Sequence, residues 1–274
     1  MPDGPVRGTV TGATVRVLRT GDAVAKARAA RQLYADWGAG HLPDMGQVAP
    51  PLRPARPDRP ERLAPRDMPK RRKAGTQATR IALIHSIAHI ELNAIDLACD
   101  LVARFADRDL PVAFVEDWLR VADDEARHFM LLRDRLQALG ADYGDLPAHD
   151  GLWEAAMATA GDLHARLAVA HMVLEARGLD VTPDMIVRLR RQGDSDTADV
   201  LQVIYQDEIG HVAAASRWFR TLSGRTGTDL DAYWQGLVRR HFRGVLKPPF
   251  NEEARRAAGM EPALYVPVSA GNGS

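Results

Sequence analysis

The chain has 274 residues, with 36 Lys plus Arg and 36 Asp plus Glu, so its formal net charge at neutral pH is zero. This length is enough for one sizeable core or a core with extensions, and the balanced charge gives no global field that favours nucleic acid or an anionic membrane. The one cysteine, Cys99, excludes an intrachain disulfide and a multi-cysteine metal site. Neither a signal peptide nor a run of about 20 apolar residues stands out, which predicts a cytoplasmic protein without membrane contact.

Residues 1–74 are predicted to form an N-terminal extension. Alternating Ala13, Val15 and Val17 allow a short strand, and the Ala- and Arg-rich residues 21–37 favour one helix. The prolines from Pro50 to Lys73 exclude helix and indicate an extended arm. This arm could be a tether, wrap over the core or dock a partner such as RNA, although no aromatic residue interrupts it to stack on bases. Its basic residues are Arg53, Arg56, Arg59, Arg62, Arg66, Lys70, Arg71, Arg72 and Lys73.

Residues 75–243 are predicted to be helical almost throughout. Four long helical segments cover about 75–107, 112–139, 152–179 and 195–222, and a further helix covers 228–243. Thr182 as N-cap and Pro183 at the first helical position predict the start of a short helix between the third and fourth long segments. Residues 244–274 are predicted to form an irregular C-terminal tail with one turn near 251–258.

Each long segment carries a glutamate on the helical face that should pack inward. An ionised carboxylate buried there without compensation is costly, and four converging carboxylates would also repel one another. Multivalent cations between them are the most economical remedy. The four glutamates are Glu91, Glu125, Glu175 and Glu208.

Two of these glutamates begin an E-x-x-H motif, within "DDEARH" and "QDEIGH". Glu125 and His128 are three residues apart, so their side chains share one helical face with about 5–6 Å between Cβ atoms. Glu208 and His211 repeat this spacing. A single E-x-x-H motif on a helix usually lies on a solvated face, but two copies on apolar helices indicate a common role.

The other two glutamates stand at matching distances before the motifs. Glu91 precedes Glu125 by 34 residues, and Glu175 precedes Glu208 by 33. The chain therefore contains two copies of a Glu helix followed by an E-x-x-H helix. In a four-helix bundle this pattern supplies four carboxylates and two imidazoles to two adjacent metal ions, which is the arrangement of ferritin-like di-iron proteins.

The stretches "HSIAHIELNAIDLA" and "LKPPFN", together with the two D-E-x-x-H motifs, resemble the ferritin-like di-iron carboxylate superfamily. Within it they are similar to a bacterial ferritin-like family of unassigned function that is related to the tRNA hydroxylases of isopentenylated adenosine. The resemblance covers roughly residues 50–255. It implies an all-α protein, a ferritin-like four-helix bundle with extra helices and an extended Pro/Arg-rich N-terminal arm. It also implies two iron ions held by Glu91, Glu125, His128, Glu175, Glu208 and His211, with manganese or a mixed pair as the alternative.

A site of this kind is expected to activate O₂ and to hydroxylate or desaturate a substrate, with an electron donor as a further partner. The alternatives are an iron-handling ferroxidase, a di-manganese protein that dismutates peroxide, and a metal that only stabilises the bundle. tRNA as a partner rests on family analogy alone, and a homo-oligomer stays open. No separate catalytic side chain is assigned beyond the di-metal centre.

Four residues are candidates for supporting the metal ligands. Asp124 and Asp207 directly precede the motif glutamates and either are exposed or accept a hydrogen bond from a ligand imidazole. His171 lies one turn before Glu175, and Tyr205 lies one turn before the second motif. Each is either an ordinary core side chain or a hydrogen-bonding partner of the centre.

Gly178 stands three residues after Glu175, where the pattern of the other half would place a histidine. The glycine and the proline that follows predict a helix end. We interpret this position as an opening through which O₂ and substrate reach the metals. His85 and His89 lie on the far side of their helix from Glu91 and are expected to bond elsewhere.

Overall fold

The computed structural model of this protein describes residues 8–69, 75–106 and 110–270. Among these residues the regular structure is helical, with no strand and three isolated bridges. The all-α prediction is therefore confirmed. The chain divides into two compact units, Met1–Trp153 and Glu154–Ser274. The division into extension, bundle and tail with boundaries at 74 and 243 stays a prediction.

The first unit is built around the packing of two long helices, α3 and α4. Thr76 begins α3 because its hydroxyl accepts a hydrogen bond from the backbone N–H of Thr79, with the reciprocal bond also present. Gly140, at φ +79°, ends α4 in the left-handed conformation that glycine favours. The helices of this unit are α1 (Val10–Arg19), α2 (Ala23–Gly38), a 3₁₀ turn (Pro65–Asp67), α3 (Gln77–Phe105), α4 (Val112–Ala138) and the start of α5 (Gly151–Ala158).

Residues 10–19 form a helix, so the predicted short strand is wrong and the described part of the extension contains two α-helices instead of one. Thr9 caps α1 by accepting a hydrogen bond from the N–H of Gly12 at 3.2 Å. Val10, Thr14 and Val17 follow a helical spacing and are buried, and α1 packs against α3. Tertiary packing thus overrides the strand preference of β-branched residues.

The described part of the Pro/Arg-rich arm lies on the first unit. The N–H of Ala55 donates to the carbonyl of Leu18 at 2.7 Å, and the Arg56 guanidinium pairs with the buried carboxylate of Asp96. Of the three roles considered for the arm, the contacts show wrapping over the helices. The remaining basic residues, Lys70, Arg71, Arg72 and Lys73, lie outside the described residues.

Helix α3 is long and apolar enough to cross a membrane by length and composition, with a mean hydropathy of 1.3 over its most apolar window. The sequence was not expected to contain such a window. However, 67% of that window is buried inside the protein, which is also typical of a core helix in a soluble protein. The absence of membrane contact and the cytoplasmic location therefore stay predictions.

The second unit contains an irregular third segment where the sequence predicts a single long helix. The helix α5 ends at Ala158, and after a turn the chain resumes as α6 and widens into a π-helix. The helices are α6 (Leu163–Arg166), the π-helix (Leu167–Glu175), α7 (Ala176–Arg191), α8 (Ser195–Ser223), α9 (Gly227–His241), α10 (Glu252–Ala257) and α11 (Pro262–Tyr265). The π-helix and α7 both pack against α8.

Helix α7 runs through Gly178 and Pro183, so the predicted helix end and the new start at Thr182 are wrong. A proline inside a helix leaves the carbonyl four residues earlier without its usual donor. Here that carbonyl belongs to Leu179, and the side-chain amide of Asn251 donates to it at 3.2 Å. Asn251 also caps α10, the turn predicted near 251–258, by accepting from the N–H of Ala254. The tail therefore compensates for the proline.

Candidate metal centre

The first cluster of predicted ligands lies where α3 packs against α4. Glu91 is on α3, and Glu125 and His128 lie one turn apart on α4. All three side chains are buried, Glu125 and His128 completely. One ligand atom from each of these side chains lies within 4.8 Å of the others. We call these three residues the first triad, and it could bind a metal ion.

Contacts within the first triad join an imidazole to two carboxylates. Nδ1 of His128 is 3.1 Å from Oε2 of Glu91 and 3.6 Å from Oε2 of Glu125. Burial, and next the nearby Glu125 carboxylate, raises the pKa of Glu91 to about 8. Two buried carboxylates side by side disfavour their ionised forms unless a cation compensates them. The donor set of carboxylate oxygens and an imidazole nitrogen suits iron or manganese.

The other three predicted ligands, Glu175, Glu208 and His211, belong to the second unit, and we call them the second triad for their shared place in the sequence pattern. Nδ1 of His211 is 3.7 Å from Oε1 of Glu208 on α8. Glu175 lies at the end of the π-helix, and its Oε1 accepts a hydrogen bond from Nδ1 of His171 at 2.8 Å. Its other oxygen, Oε2, is buried and has no hydrogen-bond partner among the described residues. Such an orphaned buried oxygen fits a metal ligand.

The π-helix shapes the surroundings of the second triad. It covers Leu167–Glu175, so both Glu175 and its neighbour His171 belong to it. π-helical turns occur mostly as short insertions and are frequent at functional sites. His171 is fully buried against Glu175, which is the position that a supporting role requires. The sequence pattern alone did not predict this widened segment.

The remaining predicted residues occupy varied surroundings. Asp124 is half-buried and lies 3.4 Å from the Arg127 guanidinium on the same helix, and Asp207 on α8 is also half-buried. The hydroxyl of Tyr205 accepts a hydrogen bond from the Asn251 amide at 3.0 Å. The supporting roles of these three residues stay predictions.

Gly178 lies inside α7 and not at a helix end. A Cβ placed on it would meet nothing within 4 Å among the described residues. The space beside Gly178 is consistent with an opening, but the helix end on which that interpretation relied is absent. Its role in substrate access stays a prediction.

His85 and His89 bond away from the triad, as helical spacing predicts. Nε2 of His89 is 3.1 Å from the carbonyl of His149, and Nδ1 is 2.8 Å from the hydroxyl of Tyr143. Nε2 of His85 accepts from the N–H of Gly144 at 3.0 Å. Both histidines therefore anchor the connection that follows α4.

Comparison with known proteins places the chain in a family. The model of the family described as "Protein of unknown function (DUF455)" matches residues 19–266. The chain belongs to this family. A relative in Haemophilus influenzae, described as "Uncharacterized protein", is 43% identical over 209 residues, which cover 74% of this chain and 72% of the relative. No solved structure matches the chain.

In this member of the DUF455 family, the candidate metal ligands are the side chains that bear on function. The first triad offers two carboxylates and one imidazole within reach of one ion, and the second triad offers the same donor types. Because both are largely buried, a bound cation would be shielded from water and would interact strongly with its ligands. The first triad is therefore suited to metal binding.

Proposed function

We propose that this protein is a ferritin-like, non-haem di-iron protein that activates O₂ to hydroxylate or desaturate a substrate. The observation that carries the proposal is the first triad, in which Glu91, Glu125 and His128 bring ligand atoms within 4.8 Å of one another in a buried place. Isolated buried carboxylates are rarely tolerated without a partner of opposite charge. A bound cation explains why two of them lie side by side.

We infer that the two triads serve one centre with two metal ions. The support is the repeated order of the sequence, in which a Glu helix precedes an E-x-x-H helix twice at separations of 34 and 33 residues. Four ionised glutamates carry four negative charges, and two divalent cations carry four positive ones. The six ligands and two ions would therefore be neutral together, which removes the cost of burying the carboxylates.

Bound iron would supply the redox chemistry that side chains lack, namely the reduction of O₂. The chain contributes orientation and shielding. Hydrogen bonding from His171 to Oε1 of Glu175 holds that carboxylate and leaves Oε2 for an ion. Burial of Glu125 and His128 keeps bulk water from the first triad. The substrate and the electron donor are further partners outside this ligand set.

RNA docking by the arm is not required for this proposal. Arg53 is 2.7 Å from the carboxylate of Asp150, and Arg56 pairs with Asp96. These two arginines are thus already engaged by carboxylates of the same unit. The relation to tRNA hydroxylases therefore remains a family analogy.

The test is rapid mixing of anaerobic, iron-loaded protein with O₂, followed by absorbance and O₂ consumption. We expect an optical transient and oxidation that stops when the bound iron is spent. Glu125→Ala should abolish both, whereas Glu116→Ala, which removes an exposed glutamate from the same helix, should leave both unchanged.

Three other outcomes would contradict the proposal. Continued oxidation of excess Fe(II) without a transient would indicate iron handling. Peroxide dismutation by manganese-loaded protein, with no reaction of the iron form with O₂, would indicate the di-manganese alternative. Metal that binds tightly but reacts with neither O₂ nor peroxide would indicate a stabilising ion.

A further inference from the structure

A second feature of the molecule, separate from the triads, is a cavity of about 300 Å³ in the second unit. One wall comes from the end of the π-helix and from α7, and the other from the chain between α9 and α10. This volume is at the lower end for small-molecule sites. Its apolar lining residues are Val173, Leu174, Phe242, Val245, Leu246 and Phe250.

Arg255 on α10 lines this cavity and is only 2% exposed. Asp180 engages two of its nitrogens, Nε at 2.8 Å and Nη2 at 2.7 Å. The guanidinium carbon lies 4.9 Å from the ring centroid of Phe250 and 4.6 Å from that of Tyr265. These contacts fix the plane of the guanidinium.

The third nitrogen of Arg255 has no such partner. Nη1 is buried and finds no hydrogen-bond acceptor within the part of the chain that the structure describes. A buried donor left unsatisfied is costly, and an arginine held by a carboxylate and two rings cannot turn to avoid that cost. An acceptor oxygen from a bound molecule would satisfy it.

The charged lining of the cavity favours an anion. Arg177 and Lys247 add two positive charges beside Arg255, and Nη1 of Arg177 donates to the carbonyl of Lys247 at 2.7 Å. Among the described residues, Asp180 is the one carboxylate that lines the cavity, and it is engaged by Arg255 at 2.7 Å and by Arg177 at 3.5 Å. The cavity therefore combines an apolar wall with an excess of two positive charges.

We propose that this cavity binds a small anionic amphiphile. Its carboxylate or phosphate head accepts a hydrogen bond from Nη1 of Arg255 and lies near Arg177 and Lys247, while its apolar chain packs on Val173, Val245 and the other apolar residues of the wall. The site goes beyond the proposed O₂ chemistry and does not depend on bound metal. Leu174 directly precedes Glu175, so the ligand would contact the π-helix that carries Glu175.

The test is isothermal titration of the metal-free full chain with decanoate and with decyl phosphate, each below its micelle concentration. We expect saturable 1:1 binding of at least one of them and no comparable binding of decanol. The tighter of the two anions identifies the head group. Because metal is absent, failure of the di-iron proposal would not affect this result.

Three variants and a control locate the site. Lys247→Glu reverses a charge at the cavity and should weaken binding by about tenfold or more, and Val245→Trp should block the cavity. Arg255→Lys removes Nη1 and should also weaken binding, with its unfolding midpoint measured to show that it is folded. Arg239→Glu, an equal charge change at an exposed site on α9, should alter affinity by less than about twofold. Equal binding of decanol and decanoate, no saturable binding, or an unchanged affinity in Lys247→Glu and Val245→Trp would overturn the proposal.

Discussion

Nδ1 of His128 lies 3.1 Å from Oε2 of Glu91, although the two residues stand 37 positions apart in the chain. The contact exists because α3 packs against α4 with the glutamate of one helix facing the E-x-x-H motif of the other. A buried imidazole is thereby placed beside two buried carboxylates. These side chains could bind a metal ion. The effect of each substitution on stability should therefore depend on whether metal is bound.

Replacement of Glu91 by Gln should change stability in opposite directions with and without metal. In chelator-treated protein, Glu91→Gln removes one of two adjoining buried carboxylates, so the free energy of unfolding should rise by about 1–3 kcal/mol. In metal-loaded protein the same change removes a ligand and should lower the unfolding midpoint. Thermal unfolding in chelator and in saturating Mn(II) measures both. A change of the same sign in the two conditions would contradict the metal assignment.

Protonation of His89 should lower the free energy of unfolding in mild acid. Burial lowers the pKa of His89 to about 4, whereas the unfolded chain takes up this proton near pH 6.5. Its stabilising contribution is therefore complete above about pH 6.5 and is lost as the pH falls towards 4, by up to about 3 kcal/mol. Urea unfolding at pH 7 and pH 4.5 measures the loss.

The matched variant is His89→Gln, which cannot take up a proton. It should be less stable than the parent at pH 7, because hydrogen bonds to Tyr143 and His149 are weakened. Its loss of stability between pH 7 and pH 4.5 should nevertheless be smaller than that of the parent chain. An equal loss in both proteins would show that His89 does not titrate as described.

Replacing only one partner of the buried Lys26–Asp96 ion pair should destabilise the protein strongly. Nζ of Lys26 is 2.6 Å from Oδ1 of Asp96, and both side chains are almost fully buried. Burial also lowers the pKa of Lys26, although Asp96 opposes that shift. Asp96→Ala leaves the buried Lys26 ammonium without its carboxylate and removes one carboxylate from Arg56, so we expect a loss of about 3–5 kcal/mol in urea unfolding.

Adding Lys26→Met to Asp96→Ala should recover part of that loss, because it removes one stranded charge. Asp229→Ala, which breaks an exposed pair with Arg225, is the control and should change stability by less than about 1 kcal/mol. If the double variant were less stable than Asp96→Ala alone, the ionic account of this contact would be wrong.

Asn251 and Pro183 should be coupled through the carbonyl of Leu179. Asn251→Ala removes the side-chain amide that donates to this carbonyl at 3.2 Å, and it also removes the cap of α10. The free energy of unfolding should fall by about 2 kcal/mol. Pro183→Ala restores a backbone N–H at the position that normally bonds this carbonyl. The cost of Asn251→Ala should then shrink by about 0.5–1.5 kcal/mol in a double-mutant cycle. An equal cost in both backgrounds would show that the amide does not replace the missing donor.

Much of the helical content could be predicted because local signals agree with the tertiary packing. The bounds of α3, α4 and α8 fall within about two residues of the prediction, and in the structure Thr76 and Asp194 cap the starts of α3 and α8 while Gly140 follows the end of α4. The grouping of Glu91 with the first motif was likewise predicted, from the glutamate on each apolar helical face and the repeated order of the sequence. Local patterns were therefore sufficient to predict α3, α4 and α8, whereas those at Gly178 and Thr182 were not.

Features that depend on distant residues could not be predicted. The helical state of residues 10–19 follows from burial against α3, which alternating valines do not reveal. Helix α7 passes Pro183 where Asn251, 72 residues along the chain from Leu179, donates to the carbonyl that the proline leaves without its usual donor. The sequence contained one indication of the Lys26–Asp96 pair, namely a lysine in a chain whose basic residues are almost all arginine. The partner of that lysine could not be inferred from it.

The most direct test of the di-metal centre is the metal content of the anaerobically purified protein, measured by plasma mass spectrometry per mole of chain. The account predicts about two ions per chain, and a loss of metal in Glu125→Ala and in Glu208→Ala but not in Glu116→Ala. Fewer than one ion per chain, unchanged by Glu125→Ala and Glu208→Ala, would contradict the central claim.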